Sequence, residues 1–192
     1  MKQITFKITG TLPLLMHNAR LASPLDKYAR MIKEISGKRK KTDDDHESMA
    51  LIEARGSLYY NSKDGIYMPG ENIEACLLAS AKLQKLGTTI KRGARVVDIN
   101  CPLIYAGPKD PDEIVRNQDF IFSKLVKVGT SRVLRTRPVF NQWGCVFTVA
   151  YMPDQLNKGS VVEIVNNAGQ LIGLGDWRPR FGLFESEVVN ES

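Results

Sequence analysis

The order of strand-like and helix-like patterns is the feature that most restricts how this chain can fold. Residues 3–10 alternate isoleucine or phenylalanine with polar residues, which predicts a strand with one buried face and one face in water. The other strong patterns predict, in chain order, a helix over 71–83, strands near 132–140 and over 143–152, a helix over 160–172 and a strand over 182–188. Few layered arrangements bury the apolar sides of all six elements together.

Strand, helix, strand, strand, helix, strand is the βαββαβ order of the ferredoxin-like, or RRM-like, fold. The sequence therefore predicts an α+β protein with a four-stranded antiparallel sheet, both helices on one face and the other face open. Residues 24–68 are interpreted as an insertion after the first strand, with helices over 24–36 and 43–55 and a hairpin over 58–68. The whole chain, 1–192, is expected to form one domain.

Capping residues indicate where three of these helices begin. Ser23 followed by Pro24 suits an N-cap and a first helical position. Thr42 precedes three aspartates, which favour the positive end of a helix. Ser160 and Glu163 have the spacing of a capping box.

Composition places the chain among globular proteins with an anionic partner. It is 43% hydrophobic and 25% charged, and its formal net charge is +6. The three cysteines are far apart and lack CxxC spacing, so neither disulfides nor a zinc site is expected. The chain has no apolar run long enough for a signal peptide or a membrane span, which predicts a cytoplasmic protein without membrane contact. No cofactor motif is present.

Residues 120–153 contain five cations and not one Asp or Glu. These cations are Lys124, Lys127, Arg132, Arg135 and Arg137. A zone of one sign over a strand-like pattern favours binding along a phosphate backbone. All five cations are expected to lie on one acid-free face of the sheet that no helix covers. The alternative is an edge strand whose cations only prevent aggregation.

A glycine-rich segment and two short basic stretches are further candidates. In GLGDWRPRFG at 173–182, Trp177 would stack a base and Arg178 and Arg180 would contact phosphates, or the segment is a structural turn around a core tryptophan. His17, Asn18 and Arg20 open a loop from which they are expected to contact RNA, and the alternative is a structural histidine. The run of Lys38, Arg39, Lys40 and Lys41 is either a finger that contacts nucleic acid or a solvated loop.

Three segments resemble the CRISPR RAMP superfamily. TLPLLMH at 11–17 is similar to the family's first-strand turn, IYMPGENIEA at 66–75 to its strand-to-helix element, and GLGDWRPRFG to its glycine-rich loop. The resemblance implies an RRM-like domain close to the backbone subunit that polymerises along guide RNA, or to uncharacterised phage and prophage proteins, in a bacterial cell. Some members of the superfamily are endoribonucleases that need no metal and use a histidine as general base.

We therefore predict a non-catalytic protein that binds the backbone of single-stranded nucleic acid, RNA before DNA, with little sequence preference. It is expected to multimerise along the strand, with residues 24–55 reaching a neighbouring copy or covering the ligand. Two alternatives remain open: a metal-independent endoribonuclease using His17, and an assembly protein whose basic face binds an acidic protein. Carboxylate clusters for metal-assisted chemistry and nucleotide-binding loops are missing from the sequence.

Overall fold

The computed structural model describes residues 1–191, and within them every side chain except those of Val128 and Ser131. The described residues form helices and strands in an α+β arrangement with antiparallel sheets. The helices are α1 (Lys27–Ser36), α2 (Asp43–Ser57), α3 (Gly70–Leu83), α4 (Gly87–Gly93), α5 (Pro111–Arg116) and α6 (Lys158–Asn167), which continues as a wider turn over Ala168–Ile172. The strands are β1 (Lys2–Gly10), β2 (Leu14–Leu15), β3 (Tyr60–Asn61), β4 (Gly65–Pro69), β5 (Ala94–Val96), β6 (Asn100–Pro102), β7 (Ile121–Val128), β8 (Ser131–Phe140), β9 (Gly144–Tyr151) and β10 (Phe184–Glu191).

The chain divides into two compact units, each built from separate stretches of sequence. The first unit contains Met1–Leu14, Asn61–Ala106 and the residues from Asn141 onward. The second contains Leu15–Tyr60 and Gly107–Phe140. The helices predicted as an insertion belong to the second unit, together with the β7–β8 hairpin, whereas β4 belongs to the first.

The first unit is organised around a four-stranded sheet in the order β10-β1-β9-β5. Strand β1 pairs antiparallel with both β10 and β9, and Phe6 lies opposite Phe147 with their rings stacked 5.7 Å apart. The strand predicted near 132–140 was expected in this sheet, and that prediction is wrong. The three residues of β5 take the position beside β9, because β8 pairs with β7 and β2 in a separate sheet.

One face of this sheet carries the core and the other carries polar side chains. Ile4, Phe6 and Ile8 are buried, as the alternation in the sequence predicts. On the opposite face Thr5 and Thr148 share a hydrogen bond of 3.0 Å, and the Lys7 ammonium lies 3.0 Å from the carboxylate of Glu187. The polar face therefore holds a paired cation, and the cations of 120–137 lie in another sheet.

Helices α3 and α6 contact each other over the core of the first unit. The Ser80 hydroxyl donates to the backbone carbonyl of Ile164 at 2.8 Å, and the Cys76 thiol donates to the carbonyl of Gly173 at 3.1 Å. All these groups are buried, so the hydrogen bonds remove the cost of placing polar atoms between the helices.

The second unit packs α1, α2 and α5 with the three-stranded sheet β2-β8-β7. Gly56 lets α2 approach its neighbours closely, because a Cβ atom there would lie 2.6 Å from Leu21 and 2.9 Å from Tyr28. Helix α2 packs against β8, and this contact brings the carboxylate of Glu53 to the basic hairpin.

The capping predictions had mixed outcomes. Thr42 caps α2 in a complete capping box, which confirms the start predicted there. The start at Ser23 is wrong, because the carboxylate of Asp26 accepts the free amides of the first turn of α1. The start at Ser160 is also wrong, since the side chain of Asn157 accepts from the Ser160 amide at 2.8 Å and α6 begins earlier.

Candidate nucleic-acid interface

The basic zone of the sequence forms the β7–β8 hairpin of the second unit. Its register places Lys124 opposite Arg135 and Lys127 opposite Arg132. Because successive side chains of a strand point to opposite faces, Lys124, Arg135 and Arg137 share one face, and Lys127 and Arg132 share the other. The expectation that all five cations lie on one face is therefore wrong.

A buried carboxylate from α2 neutralises part of the first face. Glu53 accepts hydrogen bonds from Arg135 at 3.1 Å, from Arg137 at 2.8 Å and from the backbone amide of Thr136 at 2.9 Å. The expectation of an acid-free surface is wrong here, because α2 supplies the acid from a distant part of the sequence. With three donors on one carboxylate, the burial of Glu53 is compensated.

The two arginines paired with Glu53 differ in how much solvent they reach. The Arg137 side chain is 12% exposed and that of Arg135 is 41% exposed. The Arg137 guanidinium is thus held mainly within the protein, whereas that of Arg135 keeps donors toward solvent. A guanidinium fork can contact a carboxylate and a phosphate at the same time when only part of it is covered.

A carboxylate, an imidazole and two guanidiniums line a cavity of about 240 Å³ within the second unit. Its lining includes His17, Leu21, Ile32, Glu53, Arg135 and Arg137. The sequence singled out the histidine and the arginines separately, and the structure brings them together. Glu53 was missed, since one acid in a helix of mixed character carries no local signal of what it will contact. An imidazole, a carboxylate and a guanidinium around one cavity can bind an anion and move a proton.

The second hairpin face has a cationic pair beside an apolar pair. Lys127 and Arg132 are both exposed, and neither has an ion pair or side-chain hydrogen bond to any described residue. Next to them Leu125 and Leu134 lie opposite each other and are 59% and 48% exposed. Like charges directly opposite each other destabilise a strand pair, by roughly 0.2–1 kcal/mol on the scale of other cross-strand pairs. An anionic ligand would remove this repulsion.

The glycine-rich segment 173–182 forms a loop on the first unit. Its base is closed by a hydrogen bond of 2.9 Å from the Leu174 amide to the Gly182 carbonyl, and the Gly182 amide donates to Pro13 at 2.8 Å. At its tip Trp177 is 41% exposed and its ring lies 5.5 Å from that of Phe181. The alternative of a core tryptophan is therefore wrong.

Arginines accompany the exposed ring of this loop. The guanidinium carbon of Arg180 lies 5.8 Å from the centre of the Trp177 ring, and both Arg178 and Arg180 are exposed. A cation beside an exposed aromatic ring is suited to stacking a base while contacting a phosphate.

The basic stretch at 38–41 lies in the loop between α1 and α2. Lys38 forms an ion pair of 2.7 Å with Asp45, and the hydrogen bond from Lys38, followed by that from the Thr42 amide, lowers the pKa of the Asp45 carboxyl. Lys41 donates to the Lys38 carbonyl at 3.2 Å, while Arg39 and Lys40 are exposed. Asp45 thus neutralises one of the four cations of this stretch.

The side chains of Asn18 and Arg20 have internal partners. Asn18 accepts from the Arg20 amide at 3.0 Å, and the Arg20 guanidinium donates to Asp26 at 2.9 Å. Burial would raise the pKa of Asp26, but hydrogen bonds from Tyr28 and Arg20 hold it below its ordinary value. These contacts order the turn that carries His17 toward the cavity.

The described part of the chain has neither a cluster of metal-ligating side chains nor an exposed thiol. Residues 1–191 hold no group of three His, Cys, Asp or Glu side chains placed to bind a metal ion. The thiols of Cys76, Cys101 and Cys145 are buried, and burial raises the pKa of the first two to about 12. None of the described helices combines the length and apolar content that crossing a bilayer requires.

The chain matches no protein-family model and none of the curated proteins.

Proposed function

We propose that this protein binds single-stranded nucleic acid along its phosphate backbone through the β7–β8 hairpin, without catalysing a reaction. The observation that carries the proposal is the pair formed by Lys127 and Arg132, two exposed cations directly opposite each other with no acidic partner among the described side chains. Binding a polyanion would offset their repulsion and release the counterions condensed on the strand.

The hairpin offers four cations for this role. Lys127 and Arg132 act on one face, and Lys124 and Arg135 on the other, where Arg135 reaches solvent past Glu53. Arg137 acts through Glu53, because its side chain is mostly buried. Phosphate contacts carry no sequence information, so little base preference is expected.

The preference for a single strand rests on the apolar pair beside the cations. Leu125 and Leu134 present exposed apolar surface against which unstacked bases can pack, and a duplex keeps its bases inside. Trp177, with Arg178 and Arg180, would give a second contact of the stacking type. RNA is placed before DNA because of the resemblance to the RAMP superfamily.

We also infer that the first unit has the ferredoxin-like βαββαβ arrangement. The sheet order β10-β1-β9-β5, with α3 between β1 and β5 and α6 between β9 and β10 along the chain, supports it. This arrangement favours kinship with the RAMP superfamily, whose backbone subunit polymerises along guide RNA. Such assembly would let sites of modest affinity hold the strand firmly together.

Fluorescence anisotropy with a labelled oligouridylate at a series of salt concentrations tests the proposal. Four phosphate contacts on a single strand predict a slope of log affinity against log salt of about −2.8. The matching oligodeoxythymidylate and a duplex serve as comparisons. Affinity that is indifferent to salt, or a duplex bound as tightly as the single strand, would contradict the proposal. Absorbance at 260 nm of the purified protein would reveal a strand that co-purifies.

The cavity that joins His17 to Glu53 and Arg135 favours a second candidate function, a metal-independent endoribonuclease. There His17 would take the proton of a ribose 2′-hydroxyl, and the 2′-oxygen would form a bond to the adjacent phosphorus. The bond from phosphorus to the 5′-oxygen would break, and that oxygen would take a proton from solvent water, to which His17 would return the proton it had received. The products would be a 2′,3′-cyclic phosphate and a 5′-hydroxyl, and Arg135 would stabilise the charge on the phosphate.

Labelled RNA incubated with EDTA tests this second candidate. Cleavage that ends in a cyclic phosphate, fails on 2′-deoxy substrate and disappears in His17→Ala would establish the nuclease. Intact RNA under the same conditions would leave the protein a binding protein only.

A further inference from the structure

The first unit contains a basic cleft that the proposed function does not use. It lies along the end of α3 and the whole of α4 and has a volume of about 700 Å³. Four of its lining residues are cations, Lys82, Lys85, Lys91 and Arg92, and the lining contains no Asp or Glu. We propose that this cleft binds a run of consecutive phosphate groups.

Helix ends explain part of this charge. Lys82 lies in the last turn of α3, and Lys91 and Arg92 lie in the last turn of α4, where cations favour the negative end of a helix. This attraction explains why each of these positions holds a cation. It does not explain why the cations of both helix ends line the same cleft. A concave surface with charges of one sign concentrates the electric field and attracts counterions of the opposite sign.

Lys85 lies outside both helices and has a left-handed backbone. Its φ angle is 62°, a conformation that favours glycine or asparagine and disfavours a lysine. Lys85 is the residue that terminates α3, because its amide donates to the Lys82 carbonyl at 3.1 Å and the Leu86 amide donates to the Ala81 carbonyl at 2.8 Å. The negative end of α3 therefore favours this cation too, and the cleft gathers the cations of both helix ends. None of the four cations forms an ion pair or side-chain hydrogen bond with the described residues, so all can reach a ligand.

The lining of the cleft indicates which chemical groups it can recognise. The remaining lining residues are Leu78, Gly87 and Thr88, and no aromatic side chain is present to stack a base. Ammonium and guanidinium groups bind phosphate oxygens strongly, and a cleft of this size holds several linked groups. The ligand is therefore recognised by its phosphates, which either the backbone of a nucleic-acid strand or a free polyphosphate compound can supply.

Amide NMR spectra locate the binding. The protein is titrated with inorganic tripolyphosphate and, separately, with oligouridylate, and the amide signals of residues 82–92 are followed. The Lys91→Gln/Arg92→Gln variant removes two cations of the cleft, and Lys2→Gln/Lys63→Gln removes two exposed cations of the same unit outside it. A second cleft variant, Lys82→Gln/Lys85→Gln, covers the case that the first disturbs α4.

We expect the amide signals of residues 82–92 to shift with at least one probe. Both cleft variants should bind that probe more weakly, and the control variant should bind it as tightly as the original protein. If oligouridylate is the ligand, each lost phosphate contact flattens the log–log salt slope by about 0.7. With equal affinities at ~1 M salt, a variant that lacks two contacts should bind about 25-fold more weakly than the original protein at ~0.1 M salt. Shifts with tripolyphosphate alone identify a free polyphosphate compound, and shifts with oligouridylate identify a strand.

The inference is overturned if neither probe moves these amides, or if both cleft variants bind as tightly as the control. It stands apart from the hairpin proposal, because Lys127→Gln/Arg132→Gln leaves the cleft unchanged. Loss of oligouridylate shifts at 121–138 in that variant, with 82–92 still responding, would separate the two sites.

Discussion

Replacing Lys127 and Arg132 with glutamine should change nucleic-acid affinity and protein stability in opposite directions. Each side chain is exposed and lies opposite the other, so the double substitution removes two phosphate contacts and one like-charge pair. Counterion release on single strands gives about 0.7 in log–log slope for each contact, so the slope should flatten by about 1.4. At ~0.1 M salt this is about a 25-fold loss of affinity, or about 1.9 kcal/mol.

The same substitution should make the folded protein slightly more stable. Removing a like-charge pair from directly opposite strand positions is expected to add about 0.2–1 kcal/mol to the free energy of unfolding. Anisotropy at several salt concentrations measures the first effect, and urea denaturation measures the second. The exchange Lys127→Arg/Arg132→Lys is the matched control, since it keeps both charges and should keep both properties.

Two results would refute this reasoning. An unchanged salt slope would show that Lys127 and Arg132 do not contact phosphates. Weaker binding accompanied by lower stability would show that the substitutions damage the hairpin, and the loss of affinity would then say nothing about contacts with the strand.

Three further predictions concern the interior of the protein. Glu53→Ala removes the carboxylate that pairs with two guanidiniums and should lower the free energy of unfolding, measured in urea, by about 3 kcal/mol. A loss below about 1 kcal/mol would show that these ion pairs do not stabilise the fold. Gly182→Ala should cost more than about 1 kcal/mol by the same measurement, because the residue has a φ of 78° and its new methyl group would meet the Leu174 carbonyl; unchanged stability would contradict the geometry. Burial raises the pKa of Cys76 and Cys101 from 9.0 to about 12, so the native state keeps these protons to a higher pH than the unfolded state does. The free energy of unfolding should therefore fall as pH rises from 9.0 through 12. Urea midpoints that do not change over this range, or a thiol reagent that labels the folded protein, would contradict this.

Elements with a strong local signal were predictable from the sequence. The alternation in β1, the Thr42 cap of α2 and the apolar stretch of β9 each depend on residues close together in the chain, and the structure has these elements where the patterns place them. A strand-like pattern begins at Arg95, but the position of β5 in the sheet was not predictable, because three residues are too few to show a period. The longer strand-like pattern of β8 was assigned to this position in the four-stranded sheet instead.

For the candidate site, the sequence predicted which residue types are present but not which of them contact each other. The sequence shows five cations without a nearby acid, but Glu53 reaches Arg135 across 82 positions of the chain, and no periodicity encodes such a pairing. The division of the cations between two faces follows from strand alternation alone. Alternation does not say which of those faces a helix will cover.

The pairing of β1 has a consequence for how the protein is made. Both neighbours of β1, the strands β9 and β10, are translated long after it, since Phe6 pairs with Phe147 and with Val188. At roughly 5–20 residues per second, the ribosome needs on the order of ten seconds to reach β9 after finishing β1. Throughout that interval the nascent chain carries a strand with one apolar face and two open edges, so we expect its biogenesis to depend on a chaperone that shields this segment. The β7–β8 hairpin, by contrast, can close as soon as it emerges.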